Sequence, residues 1–64
     1  EDPGRMYETF LRDYPSYGDA YIEYGIYLCR HNQWKKAREI YERGEKNAKL
    51  TGEKAKALKG KLGI

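Results

Sequence analysis

The spacing of the apolar side chains constrains this chain more than any other feature, because it follows a helical period throughout. In the first segment, large apolar residues recur at three- and four-residue steps, as Met6, Tyr7, Phe10, Leu11 and Tyr14. The same period continues through residues 17–31 and 33–50, and no segment shows the two-residue alternation of a strand. The sequence therefore predicts an all-α fold.

Helix start and stop signals divide the chain into four predicted helices of about residues 3–14, 17–31, 33–50 and 53–62. Asp2 and Pro3 favour a helix start, because aspartate caps free backbone N–H groups and proline suits the first turn. Ser16, with Asp19 three residues later, resembles a capping box that opens the second helix. Asn32 is predicted to end it, since asparagine tolerates left-handed backbone geometry.

The two central helices carry the predicted core. One apolar face of the second helix is formed by Tyr17, Ala20, Tyr21, Tyr24 and Leu28, and another by Ile22, Ile26 and Cys29. A helix that is apolar on two sides buries both only between neighbours, so we expect it to be sandwiched. The third helix is predicted to bury Trp34, Ala37, Ile40, Tyr41, Gly44 and Ala48.

Length and charge limit the functional classes. With 64 residues, the chain is one domain or a fragment of one. Residues 1–34 contain three basic and six acidic side chains, which gives a net charge of −3. Residues 35–64 contain ten basic and four acidic side chains, which gives a net charge of +6. This polarity can steer an acidic partner, a nucleic acid or a second copy of the chain. No apolar run approaches the roughly 20 residues of a membrane span.

The sequence offers no recognisable catalytic or metal-binding set. Cys29 and His31 are the only cysteine and histidine, and two positions apart on a helix they point to different faces. They are too few for a four-ligand zinc site, and the scattered glycines form no phosphate-binding loop. We therefore expect no enzyme activity, no cofactor and no metal. The lone Cys29 fits a reducing, intracellular setting.

One stretch resembles the tetratricopeptide repeat family. Its pattern of aromatic, Leu-Gly and Tyr, followed by Ala and another aromatic, corresponds here to Tyr21, Tyr24-Gly25, Leu28, Ala37 and Tyr41. The small residues Gly25 and Ala37 are expected where the two helices of a pair come closest. The run 37–43 also resembles the half-a-tetratricopeptide variant found in RNA-processing scaffolds, and one repeat does not separate the two.

The resemblance extends to both ends as half repeats. Pro3, Tyr7 and Pro15 have the spacing of the second half of a preceding repeat, and Ala55, Leu58 and Leu62 that of a following first helix. The departures are Tyr24 for leucine, Gly44 for alanine, Lys49 for the closing proline and Lys59 for a small residue. The resemblance implies antiparallel helical hairpins of an α-solenoid, with the fourth helix either a solvating cap or a continuation of the third.

The resemblance also implies a function in protein–protein interaction. The concave surface of such repeats corresponds to Asp19, Ile22, Ile26, Cys29 and Arg30, which we predict to bind a protein or peptide partner. The alternative is that the last helix, or a second copy, already covers this apolar face. The second candidate surface, for RNA or another polyanion, consists of Lys46, Lys49, Lys54, Lys56, Lys59 and Lys61, unless these lysines only solvate a terminal cap. A third alternative is a structural fragment that assembles with itself as a homo-oligomer.

Overall fold

The structure, a computed structural model, describes residues 3–64 and contains within them four α-helices and no β-strand. The helices are α1 (Pro3–Asp13), α2 (Gly18–Arg30), α3 (Trp34–Asn47) and α4 (Glu53–Leu62). The all-α prediction is therefore confirmed for the described part of the chain. The predicted helix cap Asp2 lies outside the described residues.

Helix α2 occupies the centre of the molecule and contacts α1, α3 and α4. Helix α1 runs antiparallel to it, since Tyr7 stacks on Tyr24 near one end and Phe10 meets Tyr17 near the other. Helix α4 packs on both α2 and α3. The expectation that α2 is sandwiched between neighbours is therefore confirmed, and seven of its thirteen residues are buried.

Two tyrosines of α2 form much of the core, and both use their hydroxyl groups. Tyr21 and Tyr24 are each 1% exposed. The Tyr21 hydroxyl donates a hydrogen bond of 2.6 Å to the Pro15 carbonyl, and the Tyr24 hydroxyl donates one of 2.9 Å to Glu8. Because a buried hydroxyl without a partner is costly, these bonds let the rings be buried fully. The tyrosines thus act as packing residues, as the spacing predicts.

Two glycines mark the close approaches between helices. A β-carbon at Gly44 of α3 would lie 2.8 Å from Cβ and Cγ of Tyr21, which leaves no room for it. A β-carbon at Gly25 would lie 2.6 Å from a Leu58 methyl carbon. The sequence predicts that Gly25 makes room for α3, but its nearest side chain comes from α4. The tight α2–α3 approach lies at Gly44.

The helix boundaries follow the backbone preferences of a few residues. Asn32 has φ of 60°, so its predicted left-handed conformation is confirmed. The predicted capping box at Ser16 is wrong, because α2 begins at Gly18 and no side chain caps its first turn. Helix α3 ends at Asn47, three residues before the predicted end. Gly52 has a φ of 96°, which lies in the left-handed region that favours glycine. It lies in the connection that separates α4 from α3.

Candidate functional surfaces

The predicted concave residues divide into buried and exposed groups. Ile22 is 2% exposed and Cys29 is 6% exposed, whereas Ile26 is half-buried. The fold itself therefore covers Ile22 and Cys29, and α4 is one of the helices that pack on α2. The remaining two members, Asp19 and Arg30, are exposed.

A different apolar surface is open between α1 and α2, and we call it the N-terminal groove. It encloses about 530 Å³ and is lined by Pro3, Met6, Tyr7, Phe10, Tyr17, Asp19, Ala20 and Glu23. Met6 is 62% exposed and Phe10 is 38% exposed. The groove exists because α1 packs chiefly along α2, with Glu8 reaching Arg43 of α3, and this packing leaves the side of α1 that carries Met6 and Phe10 exposed.

An aromatic cluster forms one end of the N-terminal groove. The ring centroid of Phe10 lies 4.9 Å from that of Tyr14 and 5.2 Å from that of Tyr17. Among the described residues, six large apolar side chains are exposed, and four of them are Met6, Phe10, Tyr14 and Tyr17. Apolar surface concentrated in this way is typical of a binding site, whereas single exposed apolar residues are ordinary.

The charges beside the N-terminal groove are acidic. Asp19 and Glu23 both line the groove. The Glu23 carboxylate also forms an ion pair of 3.2 Å with the Lys54 ammonium of α4. Glu8, on the same helix as Met6, accepts a hydrogen bond from the Tyr24 hydroxyl and forms an ion pair with Arg43 at 3.4 Å. The groove therefore presents an apolar floor with two carboxylates at its edge.

The six lysines of the predicted polyanion surface are all exposed and are distributed over three segments of the chain. Lys46 lies in the last turn of α3 and Lys49 in the connection to α4. The other four lie along α4, and Lys54 is engaged with Glu23. Lys56 and Lys59 line a depression together with two acidic residues, Glu45 and Glu53.

Trp34 departs from the prediction, because the sequence places it in the core and the structure leaves it 45% exposed. It lies at the start of α3, in a second groove of about 430 Å³ whose lining residues are Trp34, Lys35, Arg38, Lys61 and Leu62. We call this the tryptophan groove. Helical spacing correctly aligns Trp34 with buried Ala37, but it does not indicate how much of the indole the neighbouring helices cover.

Cys29 is buried in the fold, and His31 lies at the C-terminal end of α2. Burial raises the pKa of the Cys29 thiol, an effect that the positive charge of Lys61 partly offsets. His31 caps α2, where its ring lies 4.4 Å from that of Tyr27. Between residues 3 and 64, no three side chains of histidine, cysteine, aspartate or glutamate come together as a metal-binding group.

Two further findings concern membrane-spanning helices and similarity to known proteins. No helix within the described residues has both the length and the apolar character needed to cross a membrane. No protein-family model matches the sequence, and neither the curated proteins nor the solved structures give a match.

Proposed function

We propose that this chain is a protein-interaction module with a tetratricopeptide-like arrangement of helices, and that the N-terminal groove binds its partner. The arrangement of the helices supports the first part. Consecutive helices from α1 to α3 are antiparallel. Helix α4 lies along α2 in the same direction as α2, with Lys54 beside Glu23 and Leu58 against Gly25. A tetratricopeptide-like array would have α2 and α4 in corresponding positions, and the contact of α4 with both α2 and α3 supports that proposal.

The single observation that carries the binding proposal is the cluster of exposed apolar side chains around the N-terminal groove. Fully burying a side chain such as methionine or phenylalanine contributes about 1.5–3 kcal/mol. Met6 still exposes 62% of its surface, so most of that contribution is available to a ligand. Phe10, held against Tyr14 and Tyr17, offers a preorganised ring that loses little freedom on binding.

The shape and charge of the groove define the partner segment. Helix-in-groove recognition uses apolar anchors at three- and four-residue steps along the ligand helix. The carboxylates of Asp19 and Glu23 favour lysine or arginine beside those anchors. The partner is therefore an amphipathic helix with basic flanks. Asp19 stays in the proposed surface, whereas the buried Ile22 and Cys29 do not.

Peptide display against the immobilised full chain tests this proposal. We expect selected peptides to carry apolar residues at helical spacing together with lysine or arginine. Met6→Glu removes an apolar contact and places a charge that the peptide's apolar anchors would have to desolvate, so it should weaken binding about tenfold or more even though a carboxylate attracts basic flanks. Thr9→Glu is the matched control, since it adds the same charge to an exposed site on α1 outside the groove. Peptides that bind the Met6→Glu chain as well as the native chain would refute the groove as the site.

A second copy of the chain is one partner that the charges favour. Helix α4 carries four lysines and one glutamate, and the groove edge is acidic. Light scattering over a range of protein concentration tests this association. A mass that rises with concentration, and that Met6→Glu but not Thr9→Glu returns to the monomer, would identify the second copy as the ligand. A monomer at every concentration would exclude self-association and leave the peptide selection as the test.

A further inference from the structure

The tryptophan groove lies apart from the N-terminal groove and has a different character. Its lining combines one exposed indole with three cationic side chains, Lys35, Arg38 and Lys61. None of its lining residues, all within the described part of the chain, is acidic. The groove forms because α3 and α4 run antiparallel, which brings the start of α3 beside the end of α4.

The cations of this groove are available to a ligand. Lys35 and Lys61 are exposed. Arg38 contacts Glu42 at 3.5 Å, but both side chains are 61% exposed. A pair this exposed contributes little because water screens it, so an anionic ligand can redirect the guanidinium. Three positive charges therefore surround Trp34 without a strong internal partner.

We propose that the tryptophan groove binds a single-stranded nucleic acid, with one base stacked on Trp34 and the neighbouring phosphates held by Lys35, Arg38 and Lys61. Proteins that bind single strands pair aromatic stacking platforms with cationic side chains along the backbone. A groove of about 430 Å³ has room for one nucleotide. A protein ligand would be expected to favour the apolar N-terminal groove, whereas the net +6 of residues 35–64 attracts a polyanion.

The chain contains its own reporter for this interaction, because Trp34 is the only tryptophan. We expect a ten-nucleotide oligouridine RNA to quench the fluorescence of the full-length chain at low salt. If three phosphates are neutralised, the logarithm of the association constant should fall with the logarithm of the salt concentration with a slope of about −2. Uridine monophosphate should bind far more weakly, since it contributes one phosphate group.

Variants separate stacking from general electrostatic attraction, with a labelled RNA and anisotropy as the readout. Trp34→Leu should lower the affinity by about tenfold or more, whereas Trp34→Phe retains a ring and should lose less. Lys61→Gln should make the salt slope shallower by about 0.7. Lys46→Gln removes the same charge from α3 outside the groove and should leave the slope nearly unchanged. Circular dichroism checks that each variant folds.

Several outcomes would overturn the proposal. The first is the absence of any quenching or anisotropy change at low salt. The second is equal loss from Lys46→Gln and Lys61→Gln, which would indicate diffuse attraction instead of a site. The third is unchanged affinity after Trp34→Leu or, if that variant does not fold, an anisotropy change of the RNA with the native chain that leaves the Trp34 fluorescence unquenched. Equal affinity for uridine monophosphate and the decamer would likewise exclude a strand.

Discussion

Replacing Gly44 by alanine tests the closest approach between α2 and α3. In a solvent-exposed helix interior, alanine is about 1 kcal/mol more favourable than glycine, so the exchange is stabilising where space permits. At Gly44 the new β-carbon would lie 2.8 Å from Cβ and Cγ of Tyr21 and 3.0 Å from a Leu50 methyl carbon. Contacts at 2.8 Å are too short for carbon atoms, so the structure must shift.

The size of the effect follows from what can move. Cβ of Tyr21 is attached directly to the backbone of α2, and the ring is buried with its hydroxyl bound to Pro15. Relief therefore requires the two helices to separate along their main contact. Overpacking of this kind costs about 1–3 kcal/mol. Subtracting the helix-propensity gain of about 1 kcal/mol leaves Gly44→Ala neutral to about 2 kcal/mol less stable.

Gly60→Ala is the matched control. Gly60 is also within a helix, but a β-carbon there would meet nothing within 4 Å. This variant should therefore be about 0.5–1 kcal/mol more stable than the native chain. Urea unfolding followed by circular dichroism, at a protein concentration that does not affect the midpoint, measures both changes. If Gly44→Ala gained as much stability as Gly60→Ala, the close approach at Tyr21 would be refuted.

Three further predictions concern the α2–α4 contact and the titratable groups. Leu58→Ala should cost about 2–5 kcal/mol by leaving a cavity, and Gly25→Ala should be less destabilising in that background than in the native chain. Additive effects in the urea unfolding of the double variant would contradict the contact. Burial, reinforced by Glu45, raises the pKa of Tyr41, so stability should fall as pH rises above the unfolded phenol pKa of about 10. Tyr41→Phe should flatten that decline in unfolding experiments between about pH 8 and 11, and an unchanged profile would contradict it. Cys29, buried and with a raised pKa, should react with a thiol reagent far more slowly in the folded chain than in urea; equal rates would contradict its burial.

The features that the sequence predicts well are those that depend on helical period alone. The two apolar faces of α2 are sufficient to predict that this helix is sandwiched, because Tyr21 and Ile22 cannot be buried against one neighbour. Asn32 is also well predicted, since its left-handed conformation is a local preference. Both predictions need no knowledge of which helix lies where.

The features that the sequence does not predict depend on which neighbours are present. Spacing assigns Trp34 to the inner side of α3, but only the packing of α4 decides how much of the indole is covered. Met6 and Phe10 likewise follow the period of a buried stripe, yet α1 packs chiefly on α2 and leaves them at the groove. Gly25 shows the same limit, because its spacing indicates a close approach without indicating to which helix.

The unequal burial of the helices has a consequence for the order in which the molecule opens. Helix α1 contributes one buried side chain, Leu11, and α4 contributes two, Ala55 and Leu58, whereas α2 contributes seven. Segments with few buried contacts open at lower free energy than the rest of a fold. Amide hydrogens of α1 and α4 should therefore exchange with solvent before those of α2 and α3, and each opening of α4 would briefly uncover the side of α2 that carries Gly25. The described part of the chain is then a core of two central helices, with a helix at each end that opens before them.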